Sequence, residues 1–198
     1  MTEAQFVAEE DQFAAGHALG IDHRKLGVWI FIASEVMFFG GLIAAFLNFK
    51  VKNPSPEAAL LDVTLVGVNT FILITSSFTM VLGMDSIWKD KRGRSGFFLA
   101  LTAFLGVLFL AGQAYEFGKL HGEGVTLSSS VFGSSFYTLT GFHGLHVFVG
   151  VLWALRNLVK TLRGGYTVSN AIGIEIFGLY WHFVDIVWIV LFTVIYLI

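Results

Sequence analysis

Five apolar stretches divide this 198-residue chain, at about residues 25–49, 62–88, 95–117, 131–159 and 170–198. Each is longer than the roughly 20 residues that a helix needs to cross about 30 Å of hydrocarbon. Each has a plausible boundary. Pro54 and Pro56, the 2 prolines of the chain, follow the first stretch, so none of the five is interrupted by proline. The charged cluster Lys89, Asp90, Lys91, Arg92 and Arg94 closes the second. Ser95 offers a cap to the third, the Ser128–Ser130 run precedes the fourth, and Gly164-Gly165 separates it from the fifth, which Ser169 or Asn170 could start. The expected fold class is therefore all-α: an integral membrane bundle of five transmembrane helices. One transmembrane domain, 23–198, would follow a polar tail, 1–22, with little structure of its own. No internal repeat or low-complexity tract interrupts this plan, and no room remains for a soluble domain.

Composition excludes several function classes. Charged residues make up 13% of the chain, against about 25% for a soluble domain. Phe (21) and Gly (22) are both abundant; Phe tolerates hydrocarbon, and small residues let membrane helices approach closely. A net charge of -2 offers no basic surface for nucleic acid. With 0 Cys, disulfides, iron–sulfur clusters, thiolate zinc sites and thiol nucleophiles are excluded. The start of the chain carries Glu3, Glu9, Glu10 and Asp11 with no basic residue, unlike a secretory signal.

Loop charge sets the expected orientation. Five spans put Arg24, Lys25, Lys89, Lys91, Arg92, Arg94, Arg156, Lys160 and Arg163 on one side, and Lys50, Lys52 and Lys119 on the other, which accounts for all 12 Lys and Arg. The positive-inside rule then predicts a cytoplasmic N-terminus and an external C-terminus. A four- or six-helix reading would scramble this split.

Ionisable residues within the spans are functional candidates by default, because charge in hydrocarbon is costly. Glu35, His143 and His146 fall near mid-membrane, His182 and Asp185 just to the cytoplasmic side of it, and Glu116 towards the outer end of the third span. His143 and His146 are three apart and share a helix face, as do His182 and Asp185. The latter pair is expected to hydrogen-bond within one helix as a structural lock, a proton relay being the functional alternative. For His143 and His146 a packing role is preferred to metal or haem ligation. Glu35, among Phe31, Phe38 and Phe39, points either to a proton- or lipid-linked role or to an interhelical hydrogen bond. The Thr75–Ser77 run and Thr79 read as hydroxyl glue between helices. Arg92, Arg94, Arg156 and Lys160 are candidate contacts for anionic lipid head groups.

Five runs, in order, carry a resemblance: SEVMFFGGL (Ser34–Leu42), SSFT (Ser76–Thr79), GQAYEF (Gly112–Phe117), FYTLTGFHGLHV (Phe136–Val147) and YWHFVDIVW (Tyr180–Trp188). The chain resembles subunit III of the cytochrome c oxidase type, within the haem-copper oxidases, over roughly residues 24–198. The seven-helix members of that family carry two further helices at the start, so the likeness is to the short five-helix bacterial form.

The resemblance implies an accessory subunit without a cofactor of its own. Catalytic subunit I, with subunit II in the same complex, would hold haem and copper in a bacterial inner membrane. The chain would not be catalytic by itself. It would stabilise a proton-translocating terminal oxidase, reducing oxygen with electrons from cytochrome c or quinol, and support lipid and oxygen access. Nitric oxide reductase accessory proteins are similar. Glu35 would match the family's buried carboxylate that sustains proton uptake, and Glu116, His143, His146, His182 and Asp185 its intramembrane polar positions. Bound phospholipid is expected from the family's V-shaped lipid cleft, of which the missing helices form one wall. The competing readings are a haem-b-binding electron-transfer anchor using His143, His146 and His182, and a proton-coupled transporter built on Glu35.

Overall fold

The computed structural model describes residues 22–52 and 55–198. The expected polar tail lies outside the described residues, apart from Asp22. Five long helices follow: α1 (His23–Lys52), α2 (Val63–Trp88), α3 (Arg92–Gly122), α4 (Val131–Leu162) and α5 (Ile172–Phe192). A π-helical turn, Thr193–Leu197, prolongs α5. All five are long and apolar enough to cross a membrane, and the chain is a multi-pass membrane protein.

Local chemistry explains the helix ends. Asp62 caps α2 by accepting the Leu65 N–H at 3.0 Å, and Ser130 caps α4 by accepting that of Gly133 at 2.9 Å. The start of α3 differs from the sequence expectation. Asp90 adopts φ 52°, and Lys91 N–H returns to Ser86 O at 2.8 Å, so the chain reverses sharply after α2. An aspartate tolerates that left-handed conformation better than most residues. The new helix therefore begins at Arg92, and Ser95 lies buried inside it with no hydrogen-bond partner for its hydroxyl among the described residues. Helix α5 begins at Ile172, after a 3₁₀ turn over Val168–Asn170, with no side-chain cap.

Neighbouring spans pack in series, α2 on α3 and α3 on α4, and α5 lies across both α2 and α4. Helix α1 rests mainly on α4 and α5, through a stripe of Ile32, Phe39 and Phe46 spaced seven apart. The core sits around α5. Trp181 and Trp188 are its largest fully buried side chains. Trp181 fills a slot that glycine opens: a Cβ on Gly106 of α3 would come within 2.9 Å of the indole, and one on Gly150 of α4 within 2.6 Å. Its Nε1–H donates to Ser76 Oγ of α2 at 3.0 Å. Trp188 donates to Thr70 Oγ1 of α2 at 2.9 Å and meets Phe109 of α3 edge-on at 4.8 Å.

Buried amides and hydroxyls join the remaining helices. Asn69 donates to Phe109 O at 3.0 Å, Gln113 to Thr140 O at 2.7 Å, and Thr79 and Thr102 share a hydrogen bond at 2.8 Å. In lipid, apolar surface gains nothing by leaving one apolar environment for another. Close packing and such polar contacts must therefore hold the bundle.

Candidate functional site: the intramembrane polar residues

The six candidate ionisable residues do not converge on one centre. They form three separate clusters, with His143 apart.

Glu35 of α1 meets His146 of α4, with Oε2 and Nε2 3.2 Å apart. Oε2 is buried and has no hydrogen-bond partner among the described residues, so the two groups stand in contact without a hydrogen bond between them. His146 Nδ1 lies 2.7 Å from Phe142 O, one turn back, and Phe39 packs edge-on against the imidazole at 5.1 Å. Tyr180 of α5 donates its hydroxyl to His146 O at 2.9 Å. A pocket of about 420 Å³ opens beside the pair, with mostly apolar walls that include Phe31, Leu145, Val149 and Trp153.

The second cluster joins α2 and α5. Ser77 Oγ lies 2.8 Å from His182 Nδ1 and donates to Asp185 Oδ2. His182 and Asp185 thus meet through a hydroxyl of another helix, not directly within α5 as their spacing suggested. Asp185 Oδ1 is buried with no partner among the described residues. In the third cluster, Tyr196 donates to Glu116 of α3, with its oxygen 3.0 and 2.9 Å from the two carboxylate oxygens.

His143 is fully buried, stacked on Trp188 at 4.8 Å and set edge-on to Phe109 at 5.8 Å. Neither ring nitrogen has a hydrogen-bond partner among the described residues. The spacing of three from His146 explains the divergence. At about 3.6 residues per turn the two side chains differ by about 60° around α4, enough to send one towards α5 and the other towards α1.

The haem-anchor alternative needs His143, His146 and His182 to act together. They face Trp188, Glu35 and Ser77 respectively. Among the described residues no group of three or more His, Cys, Asp and Glu could hold a metal ion.

The candidate lipid contacts lie at one end of the bundle, near the close of α2 and α4 and the start of α3. Arg92 pairs with Asp90 at 3.5 Å, Arg94 lies 5.5 Å from the Phe98 ring, and Lys160 lies over Tyr166 at 4.2 Å. Arg156 stands close enough to act electrostatically on Tyr166, whose own hydroxyl donates to Asn157 Oδ1 at 2.8 Å. Burial pushes the Tyr166 phenol above its ordinary value, and the Arg156 charge opposes that shift.

Sequence reasoning missed Ser77, Tyr180 and Tyr196 as partners of the candidate residues. Ser77 lay within a run already read as glue. Tyr196 sits eleven residues after Asp185, about three turns along the same face, but nothing in the sequence matched it with Glu116. It also missed the clips on α1. Lys25 forms an ion pair with Glu175 of α5. Lys50 donates to Val194 O and Ile195 O at 3.2 and 3.4 Å, where the last helical carbonyls lack helix partners.

Comparison with known proteins covers nearly the whole chain. The family model described as cytochrome c oxidase subunit III matches residues 3–198. Cytochrome c oxidase subunit 3 of Thermostichus vulcanus is 40% identical over 193 residues, spanning 92% of this chain and 94% of that protein. The protein of the same name from Bacillus subtilis (strain 168) is 39% identical over 178 residues, or 88% and 86% of the two chains. Probable quinol oxidase subunit 3 of Staphylococcus aureus (strain USA300) is 36% identical, over 88% and 89%. With five spans, a family match over residues 3–198 and relatives about 40% identical across nearly the whole chain, the chain belongs to the cytochrome c oxidase subunit III family, accessory subunits of respiratory terminal oxidases.

Proposed function

We propose that this chain acts as a cofactor-free subunit III, lying against catalytic subunit I of a haem-copper terminal oxidase, with subunit II in the same complex. The partner supplies the haem and copper chemistry. This chain excludes bulk lipid, supports lipid and oxygen access, and helps sustain proton uptake through Glu35. The reading places the subunit in the bacterial cytoplasmic membrane as one transmembrane domain behind a polar tail. Its N-terminus faces the cytoplasm and its C-terminus the outside, following the charge split of the loops. Arg92, Arg94, Arg156 and Lys160 would meet anionic head groups at the cytoplasmic face. Glu116, His143, His146, His182 and Asp185 serve helix packing, with no redox role.

One observation carries the reading. Most of the intramembrane polar residues face a polar group on a neighbouring helix: Glu35 lies against His146, Ser77 bridges His182 and Asp185, and Tyr196 donates to Glu116. Such an arrangement serves a scaffold better than a redox centre.

Affinity purification of the chain in mild detergent tests this. A haem- and copper-containing partner is expected to co-purify, and that partner's electron-input domain identifies cytochrome c or quinol as donor. Recovery of the chain with no such partner, or with a Soret band that persists on the isolated chain, would overturn the reading. Glu35→Ala should leave assembly and spectra intact while shortening the time over which the oxidase keeps working. Loss of all activity from the first turnover contradicts an auxiliary role.

A further inference from the structure

We propose that α1 is hinged at Gly40-Gly41, so that its first half, residues 23–39, swings as a lateral gate beside the pocket of about 420 Å³ while its second half stays fixed to α4 and α5. Such a hinge is a property of this chain alone, whatever partner lies alongside.

Several glycines inside the helices have a packing reason. A Cβ on Gly106 or Gly150 would strike Trp181, one on Gly112 would come within 2.7 Å of Asn69, and one on Gly144 within 2.6 Å of Gln113. At Gly40 and Gly41 a Cβ would meet nothing within 4 Å. Among the described residues, then, this pair serves no close contact. Adjacent glycines in a helix interior give up helix stability relative to alanine and leave a natural place to bend. Gly141 of α4 is equally open, but it stands alone, and α4 is gripped by α3 as well as by α1 and α5. The other open helical glycines, Gly27, Gly93, Gly118 and Gly122, lie near helix ends.

The two halves of α1 are held differently. In the second half, Phe46 is buried and meets Phe132 of α4 at 6.1 Å. Lys50 donates to Val194 O and Ile195 O at 3.2 and 3.4 Å. The connection to α2 is tied down as well, because Glu57 accepts from Ser130 at the start of α4. These ties run past a smaller pocket, of about 360 Å³, between α1 and the start of α4.

The first half borders the larger gap. Val28, Phe31 and Glu35 form one wall of the pocket, opposite Leu145, His146 and Val149 of α4. Across it, Glu35 Oε2 stands 3.2 Å from His146 Nε2 and has no hydrogen-bond partner among the described residues. The buried residues of this half are Ile32 and Phe39, and Phe39 sits at the hinge itself. The far end is latched by the ion pair of Lys25 with Glu175, in which the lysine side chain is 37% exposed. A pair so exposed opens at small cost. Ile30 lies ten residues before Gly40, about 15 Å along the helix axis, so a bend of about 20° carries it about 5 Å. A displacement of that size parts Glu35 from His146 and widens the pocket towards the surrounding lipid.

The chain has 0 Cys, so spin labels go only where a cysteine is introduced. Double electron–electron resonance on the full chain in lipid nanodiscs, together with any partner that co-purifies, would compare Ile30→Cys with Asn48→Cys, each paired with Phe104→Cys on α3. All three positions are exposed. The Ile30 distances should spread over about 5 Å more than the Asn48 distances. Gly40→Ala with Gly41→Ala, for which there is room, should narrow the Ile30 distribution to the Asn48 width. Lys25→Met undoes the latch and leaves the glycines intact, so it should raise the share of the open population at Ile30 and leave Asn48 unchanged. Equal widths at Ile30 and Asn48 in the wild type would overturn the hinge. So would an Ile30 distribution that the two alanines leave as it was, or a Lys25→Met change shared equally by Asn48. If the alanines strip a haem-bearing partner from the chain with both widths as before, the pair serves a partner contact and the hinge falls. The wild-type and Lys25→Met measurements decide the matter should the alanine variant not be recovered.

Discussion

Across its most apolar 18 residues, α1 buries 17% of them and α5 buries 61%, yet α1 is the more apolar of the two, with mean hydropathy 2.1 against 1.8. In water the order would be reversed. In lipid, hydropathy decides whether a segment enters the membrane, and shape decides what it packs against. Helix α5 is held by shape, with Trp181 in its glycine slot and Trp188 between Phe109, His143 and Thr70. Helix α1 carries a thin apolar stripe and three polar contacts: Lys25 to Glu175, Glu35 to His146, and Lys50 to the carbonyls of Val194 and Ile195. A span held by few clips can be shifted or re-seated by a neighbouring protein at small cost. A span held by interlocked rings cannot.

The contrast breaks most sharply at Trp181. Trp181→Ala should cost about 3 kcal/mol, the low end for such truncations because lipid removes much of the transfer contribution and leaves the cavity. Unfolding of the purified chain by graded SDS addition would measure it, and a loss equal to that of any α1 substitution would erase the distinction drawn here. Tyr196→Phe leaves a buried Glu116 without its donor and should cost about 2 kcal/mol in the same titration.

Lys50→Met removes the clip on the α5 carbonyls and should cost about 1 kcal/mol. Cross-linking between the Lys50 end of α1 and the Thr193–Leu197 turn should report the loosening. Lys25→Met should cost less than about 1 kcal/mol, since its ion pair is partly exposed. High salt should shrink that difference, and a salt-independent effect would point to packing instead.

The smallest effect concerns the start of α2. The Leu65 N–H, and then the nearby Lys119 charge at 3.5 Å, hold the exposed Asp62 carboxyl below its ordinary value. A carboxyl depressed on folding contributes stability above its unfolded value, and that contribution is lost as pH falls through the depressed one. Asp62→Asn keeps the cap and removes the charge, so its stability should lose this acid dependence. An unchanged acid profile would reassign it to another group.

Much of the fold was legible in the sequence because the bilayer imposes a length on each span, and length is countable. The end of α2 was legible in its charged cluster; the start of α3 was not, because Asp90 turns the chain before Ser95 can cap. Of the candidate site, residue types and depths were legible and pairings were not. Helical spacing placed His143 with His146 and His182 with Asp185. The structure sends the first two to different helices and joins the second two through Ser77 of α2. Spacing fixes angle about one helix, whereas a partner depends on which helix lies opposite, and that is set by packing.

Trp181 has a consequence for biogenesis. Its slot is built by α2, α3 and α4, all of which leave the ribosome before it does. Those three spans enter the bilayer with their keyhole still empty, so the bundle reaches its final state only after the last span is translated. Until then the groove lined by Ser76, Gly106 and Gly150 lacks the indole that fills it. Translation of the fifth span closes that cleft.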